Sequence, residues 1–157
     1  MGIDPGLRTT GYGVIEAEKG LPNTVHICEA GVIQPDTRAS LPERIDKIHR
    51  NVSEIIAEYT PQIMVLEKLY AHYKHPVTAS LLGHVRGVIC LLCAQNHIVF
   101  SEHSVKRIRK ALIGNGNASK IQTREAVAQT FHLDPNSLTL DASDALALAL
   151  GFMYMQR

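Results

Sequence analysis

Nothing in this chain of 157 residues reads as an apolar run long enough to span a bilayer, and its N-terminus has no basic segment leading into an apolar one. Those two absences make a soluble, cytoplasmic protein the expectation. Cysteine is scarce: Cys28, Cys90 and Cys93 make an odd number, which argues against a disulfide scaffold. Internal repeats, low-complexity tracts and linkers are also missing, so the 45% hydrophobic content belongs to a single domain over residues 1–157 with a sizeable core. A further absence is local. Between Lys106 and Arg124 there is no Asp or Glu, while Lys106, Arg107, Arg109, Lys110, Lys120 and Arg124 all fall in that stretch. A formal net charge of +1 hides this surplus. It suits a contact with a polyanion, and it also suits a solvated helix face.

What is present begins with three short strands, one ending at Asp4, one over 11–16 and one over 26–34. Gly20-Leu21-Pro22-Asn23 and Gln34-Pro35-Asp36 punctuate them, and links this short favour antiparallel neighbours. Ser40 followed by Glu43 forms a capping box, and Ile45, Ile48, Val52, Ile55, Ile56 and Tyr59 recur at helical spacing up to Pro61. A strand over 63–66, a helix over 77–95 and a strand over 98–101 come next. Helices over 104–113, 119–131 and 141–155 complete the chain, separated at Gly114-Asn115-Gly116-Asn117 and at Asp134-Pro135-Asn136. This order is a mixed α/β plan with a five-stranded sheet flanked by helices.

Four acids interrupt or abut segments apolar enough to be buried. Asp4 stands where the first strand meets Pro5-Gly6, Glu67 closes Ile63-Met64-Val65-Leu66, and Asp141 and Asp144 open the last apolar helix. A carboxylate there is costly unless a cation or hydrogen bonds compensate it. Spaced by three, Asp141 and Asp144 share a helix face about 5–6 Å apart. An Asp at that place also serves as a helix cap, a reading that suits Asp141 better than Asp144. Two carboxylates ~5 Å apart repel by about 3 kcal/mol at an effective dielectric near 20. Divalent cations would neutralise the group, and hard oxygen ligands without evident His or Cys partners suit Mg²⁺ or Mn²⁺.

Gly2-Ile3-Asp4-Pro5-Gly6, continued by Thr10-Gly11-Tyr12-Gly13-Val14-Ile15, resembles the opening of the RuvC family of Holliday-junction resolvases in the RNase H-like superfamily. The resemblance continues through Glu67-Lys68-Leu69-Tyr70, Gly83-His84-Val85-Arg86-Gly87-Val88, Gly114-Asn115-Gly116-Asn117-Ala118-Ser119-Lys120 and Asp141-Ala142-Ser143-Asp144-Ala145-Leu146-Ala147. It covers essentially the whole chain in the family's order. The fold it implies is RNase H-like: a three-strand antiparallel meander plus two parallel strands, with helices around them. It also implies that Asp4, Glu67, Asp141 and Asp144 bind two Mg²⁺ ions per subunit, with Mn²⁺ as a substitute. The implied reaction is phosphodiester hydrolysis in four-way junction DNA during recombination and repair, by a homodimer that makes paired symmetric nicks, with a RuvA–RuvB-type branch-migration complex as a further partner.

By position, the resemblance implies a role for Lys120 near the scissile phosphate and a DNA contact for Arg109. Tyr70 takes the place of an aromatic that stacks on a base beside the cut. Arg107, Lys110 and Arg124 extend the expected DNA surface. The chain starts nearly on its first motif, which implies a shortened first strand. Residues 70–76 read about one residue longer than in common members and lack their usual Lys-Asn pair. Rival readings are an actin-like nucleotide phosphohydrolase, which needs a second phosphate loop and a longer chain, and a junction-binding scaffold without turnover. Cys90 and Cys93 read as buried inert thiols, His72 and His75 as surface loop residues, and the Gly83-to-Gly87 stretch as a close-packing surface at a dimer interface or in the core.

Overall fold

The computed structural model describes residues 1–17, 24–69 and 76–156. The turn expected at Gly20-Leu21-Pro22-Asn23, and Tyr70, His72 and His75, lie outside them. Five strands, β1 (Gly2–Asp4), β2 (Thr10–Ala17), β3 (Val25–Ile33), β4 (Ile63–Glu67) and β5 (Val99–His103), form one sheet in the order β3-β2-β1-β4-β5. β1 to β3 pair antiparallel, whereas β4 runs parallel to both β1 and β5. The meander and the parallel pair match the expectation. β5 runs two residues further than expected, which sets His103 opposite Glu67.

Side chains alternate across a strand, so each face of the sheet takes every second residue. On one face Ile3, Val14, Met64 and Leu66 meet Ile48, Val52, Ile55 and Ile56 of α1 (Leu41–Tyr59) and Val85, Ile89 and Leu92 of α2 (Pro76–Gln95). Val65 and Ile15 turn the other way, toward Ile108 of α3 (Val105–Ile113), Val127 of α4 (Lys120–Thr130) and Leu146 of α5 (Leu140–Met155). By the same alternation Asp4, two residues from Gly2, and Glu67, two from Val65, face α5. Its run from Ala145 to Gly151 is buried without interruption because the sheet lies on one side and α3 and α4 pack against it on the other.

Local chemistry sets the helix ends. Glu43 accepts hydrogen bonds from the backbone N–H and the hydroxyl of Ser40, both at 2.7 Å, at the start of α1. Ser104 and Ser119 cap α3 and α4 by accepting from Arg107 and Gln122 N–H. The cap of α5 is Thr139, whose hydroxyl accepts from Ala142 N–H at 3.3 Å. Asp141 therefore sits inside the first turn, where it complements the helix dipole without capping the helix, and the cap reading is corrected.

Two further expectations change. Val77–Gln95 has a mean hydropathy of 1.7 over a 19-residue span, long and apolar enough by length and composition to cross a membrane, so the reading that no segment reaches that measure is overturned. Its polar residues, Thr78, His84 and Arg86 among them, are spread through the helix and do not interrupt the average. Cys90 is exposed, because it lies on the outward flank of α2, while Cys93, three residues on, is buried and its thiol is pushed up to about 11 by that burial and by Cys90.

Candidate active site

β1 and β4 are parallel neighbours, with Gly2 opposite Val65 and Ile3 opposite Leu66, so Asp4 and Glu67 emerge at the same end of the sheet. The chain must turn at once after Asp4. Thr10 holds that turn: fully buried, its hydroxyl donates to Gly6 O at 2.7 Å and accepts from Gly6 N–H at 3.3 Å. Across β2, Gly11 is opposite Asp4, and a Cβ at Gly11 would overlap the backbone carbonyl of Asp141. The missing side chain therefore lets the first turn of α5 rest on the sheet beside Asp4. Asp144, one turn further along, lines the same cavity as Asp4 and Glu67, a hollow of about 70 Å³ that Arg109, Lys120 and Thr123 also border.

The charges in this hollow disturb one another. Asp4 is pushed from 3.8 up to about 7, first by burial, then by Asp144 and Glu67, with Lys120 pulling the other way and Asp141 adding a smaller push. Glu67 is raised by burial and by Asp144, opposed by Lys120, Arg109 and Arg86. Lys120 donates to Asp144 Oδ2 at 2.6 Å, a bond that holds its ammonium above the ordinary lysine range. The four acids form one electrostatic group, yet no three of them, among the described residues, bring their oxygens within 4.8 Å of one another. Mutual repulsion favours that spacing, and Lys120 occupies one carboxylate.

Sequence reasoning foresaw Asp4, Glu67, Asp144, Lys120 and Arg109 around this cavity. Asp141 does not line it and acts on Asp4 from one turn away. Arg107 and Lys110 are exposed on α3, beside Arg109 in sequence but off the cavity wall. Arg124 lies one turn past Lys120 on α4, partly buried. One residue was missed as part of the site. Arg86 of α2 donates through Nη1 to the main-chain carbonyl of Glu67 at 2.7 Å and through Nη2 to Glu102 of β5. With only 12% of its side chain exposed, it ties α2 to the two parallel strands beneath the acids. A lone arginine in an apolar helix was the available signal. Arg86 also lines a second hollow of about 240 Å³ that shares Asp4 and Glu67 with the first, so the two acids stand on the divide between them.

Comparison with known proteins bears on this geometry. A family model described as crossover junction endodeoxyribonuclease RuvC matches residues 1–152. The chain belongs to the RuvC family. A RuvC from Rhodopirellula baltica is 41% identical over 157 residues, spanning 99% of this chain and 85% of that one, and a RuvC from Lawsonia intracellularis is 34% identical over 157 residues, spanning 100% and 90%. Among solved structures, T. thermophilus RuvC in complex with Holliday junction substrate superposes with a TM-score of 0.89 at 22% identity, covering 99% of this chain and 93% of that one. The yeast mitochondrial Holliday junction resolvase Ydc2 superposes at 0.68 with 14% identity, covering 99% and 77%. The RuvC family match and these folds agree with an RNase H-like sheet, and the family is one of endonucleases.

Proposed function

We propose that this protein is an endonuclease that resolves four-way DNA junctions in recombination and repair, by metal-assisted hydrolysis of one phosphodiester in each of two symmetric strands. One observation carries the reading: the RuvC motif acids Asp4, Glu67 and Asp144 converge on one cavity with Lys120, and Asp141 stands a turn away. The residues fit Mg²⁺ or Mn²⁺. Each of the four acids offers hard carboxylate oxygens, no His or Cys among the described residues lines the cavity, and Asp4 is pushed up first by burial and then by the neighbouring carboxylates, a cost that a bound cation would offset. Asp4, Glu67, Asp141 and Asp144 would hold two ions. When bound, such ions lower the pKa of an attacking water and stabilise the departing 3′-oxygen.

The chain's own groups do the rest. Lys120 sets a positive charge beside the carboxylates, where negative charge builds on the phosphoryl oxygens in the transition state. Arg109 fixes the adjoining backbone phosphate, and Arg107, Lys110 and Arg124 extend that contact, reading junction shape more than base order. Tyr70, which follows Lys68 and Leu69 of the second hollow's wall, stacks on a base beside the cut.

Paired nicks need two active sites, and α2 supports a homodimer. Val77, Leu81 and Leu91 of this helix are exposed at 71%, 37% and 53%, and a Cβ on Gly83 or Gly87 would meet nothing within 4 Å. Small residues beside an exposed apolar stripe allow a second helix close approach. The proposal extends to a cytoplasmic setting and to a RuvA–RuvB-type complex that presents the junction.

Cleavage of a mobile four-way junction and of duplex with the same arms, with and without Mg²⁺, tests the reading. Junction-selective, Mg²⁺-dependent paired nicking is expected, and Asp4→Asn or Glu67→Gln should bind the junction normally while nearly abolishing cutting. Binding without turnover in the parent chain would mark it as a scaffold. Equal cutting of duplex would remove the junction assignment.

A further inference from the structure

At the end of the sheet away from the acids, three side chains of different chemistry meet. Gly2 pairs with Gly13, so Glu16 of β2 lies three residues beyond the N-terminal end of β1, whereas Asp4 marks its opposite end. Glu16 is directly across from His26 of the edge strand β3. Cys28 packs against the core cluster that holds Val14, and Val14 and Glu16, two apart on β2, share that face. The register moves from Val14↔Glu29 to Ile15↔Ile27, which makes Cys28 the extra residue of a β-bulge, without a cross-strand partner. A carboxylate oxygen of Glu16, a ring nitrogen of His26 and Cys28 Sγ all lie within 4.8 Å of one another.

An exposed ion pair between His26 and Glu16 accounts for two of these groups and contributes little by itself. It does not account for the thiol. The separation is informative: His26 Nε2 and Glu16 Oε2 are 3.3 Å apart. Zinc bonds of about 2.0–2.2 Å to nitrogen and oxygen, taken at a tetrahedral angle, separate the two donors by about 3.3–3.5 Å. A thiolate at about 2.3 Å from the same ion would stand ~3.6 Å from each, and the three donors already lie within 4.8 Å of one another. We infer that Glu16, His26 and Cys28 form a second metal site, for a borderline divalent cation such as Zn²⁺. One sulfur, one nitrogen and one oxygen donor separate it from the all-oxygen catalytic site. Glu16 and His26 are exposed, so the fourth position opens to solvent and takes water. Metal bound there would link β2 to the edge strand β3 and stabilise the native chain, because the unfolded chain has no preformed site.

The test uses the full chain with Cys90→Ser, which removes the exposed thiol outside the cluster, in excess Mg²⁺ to occupy the carboxylates. Titration with Co²⁺ should produce a thiolate-to-cobalt charge-transfer band that one equivalent of Zn²⁺ displaces. The band should be lost in Cys28→Ser and weakened in Glu16→Gln, an exposed substitution that leaves the core untouched. Zn²⁺ should raise Tm in the Cys90→Ser chain and leave it unmoved when Cys28→Ser is added. Absence of the band, its survival in Cys28→Ser, or an equal Zn²⁺-induced rise in Tm with and without Cys28 would overturn the assignment. Junction cutting in Mg²⁺ alone should be unchanged by Cys28→Ser.

Discussion

Asp4 concentrates the conflict at the centre of this molecule: a half-buried carboxylate beside two others, pushed up to about 7 from 3.8. An acid whose pKa is higher in the folded chain takes up protons on folding. Its contribution to stability is fully present below 3.8 and is lost as pH rises through about 7. Unfolding curves without divalent metal should therefore show the parent losing stability relative to Asp4→Asn between pH 4 and pH 8, with a falling Tm, by at most ~4 kcal/mol at 1.36 kcal/mol per pKa unit. Mg²⁺ should close the gap in the parent and do so less in the variant. Parallel Tm profiles for the two chains across that window would show that Asp4 is not under this strain. The same residue that destabilises the metal-free fold is the one whose loss should silence cutting, which is the usual relation between a functional site and stability.

Among the elements, α2 joins two tasks. Its inner face fills the core through Val85, Ile89 and Leu92, and Arg86 reaches from it to Glu67 O and Glu102. Glu67 thus depends on a helix that supplies no catalytic group. Arg86→Met keeps bulk but removes both hydrogen bonds. Partners that orient a metal ligand are typically worth about 10- to 100-fold in metal affinity or activity, so the Mg²⁺ concentration for half-maximal cutting should rise roughly tenfold or more, with junction affinity unchanged. A variant that melts earlier but keeps the parental Mg²⁺ dependence would show the contact to be a structural brace only.

On the scale of the whole molecule, two properties belong to no single residue. The outer stripe of α2 predicts that Leu91→Glu yields monomers, detectable by sedimentation or light scattering, and that such monomers lose the pairing of nicks, since each site then acts alone. A dimer that persists in Leu91→Glu would put the interface elsewhere. The acid-free stretch from Lys106 to Arg124 predicts a steep salt dependence of junction affinity, because each neutralised phosphate releases counterions and contributes about −0.9 to the slope of log K against log salt on B-DNA. Arg109→Ala should flatten that slope by about one phosphate. A slope identical to the parent's would take Arg109 off the DNA.

Much of this protein was settled by sequence alone. Period-2 and helical apolar spacing, serine caps and Gly or Pro breaks marked the strands and α-helices of the described residues to within two or three residues, because these are local preferences of the chain. The four acids were legible as well, since a carboxylate in an apolar segment is costly wherever that segment folds. Tertiary structure decided what local preference cannot carry. Parallel pairing of β1 and β4 brought Asp4 and Glu67 to one sheet end, and the absence of a side chain at Gly11 let the first turn of α5 rest on the sheet near Asp4. Packing separated Arg109 and Lys120, which border the cavity, from Arg107 and Lys110, which share their charge but face solvent. Arg86 gained its partners, and Glu16, His26 and Cys28 their proximity, only through contacts between elements far apart or newly paired. Such contacts depend on register and on which face meets which, quantities that exist only once the sheet has formed.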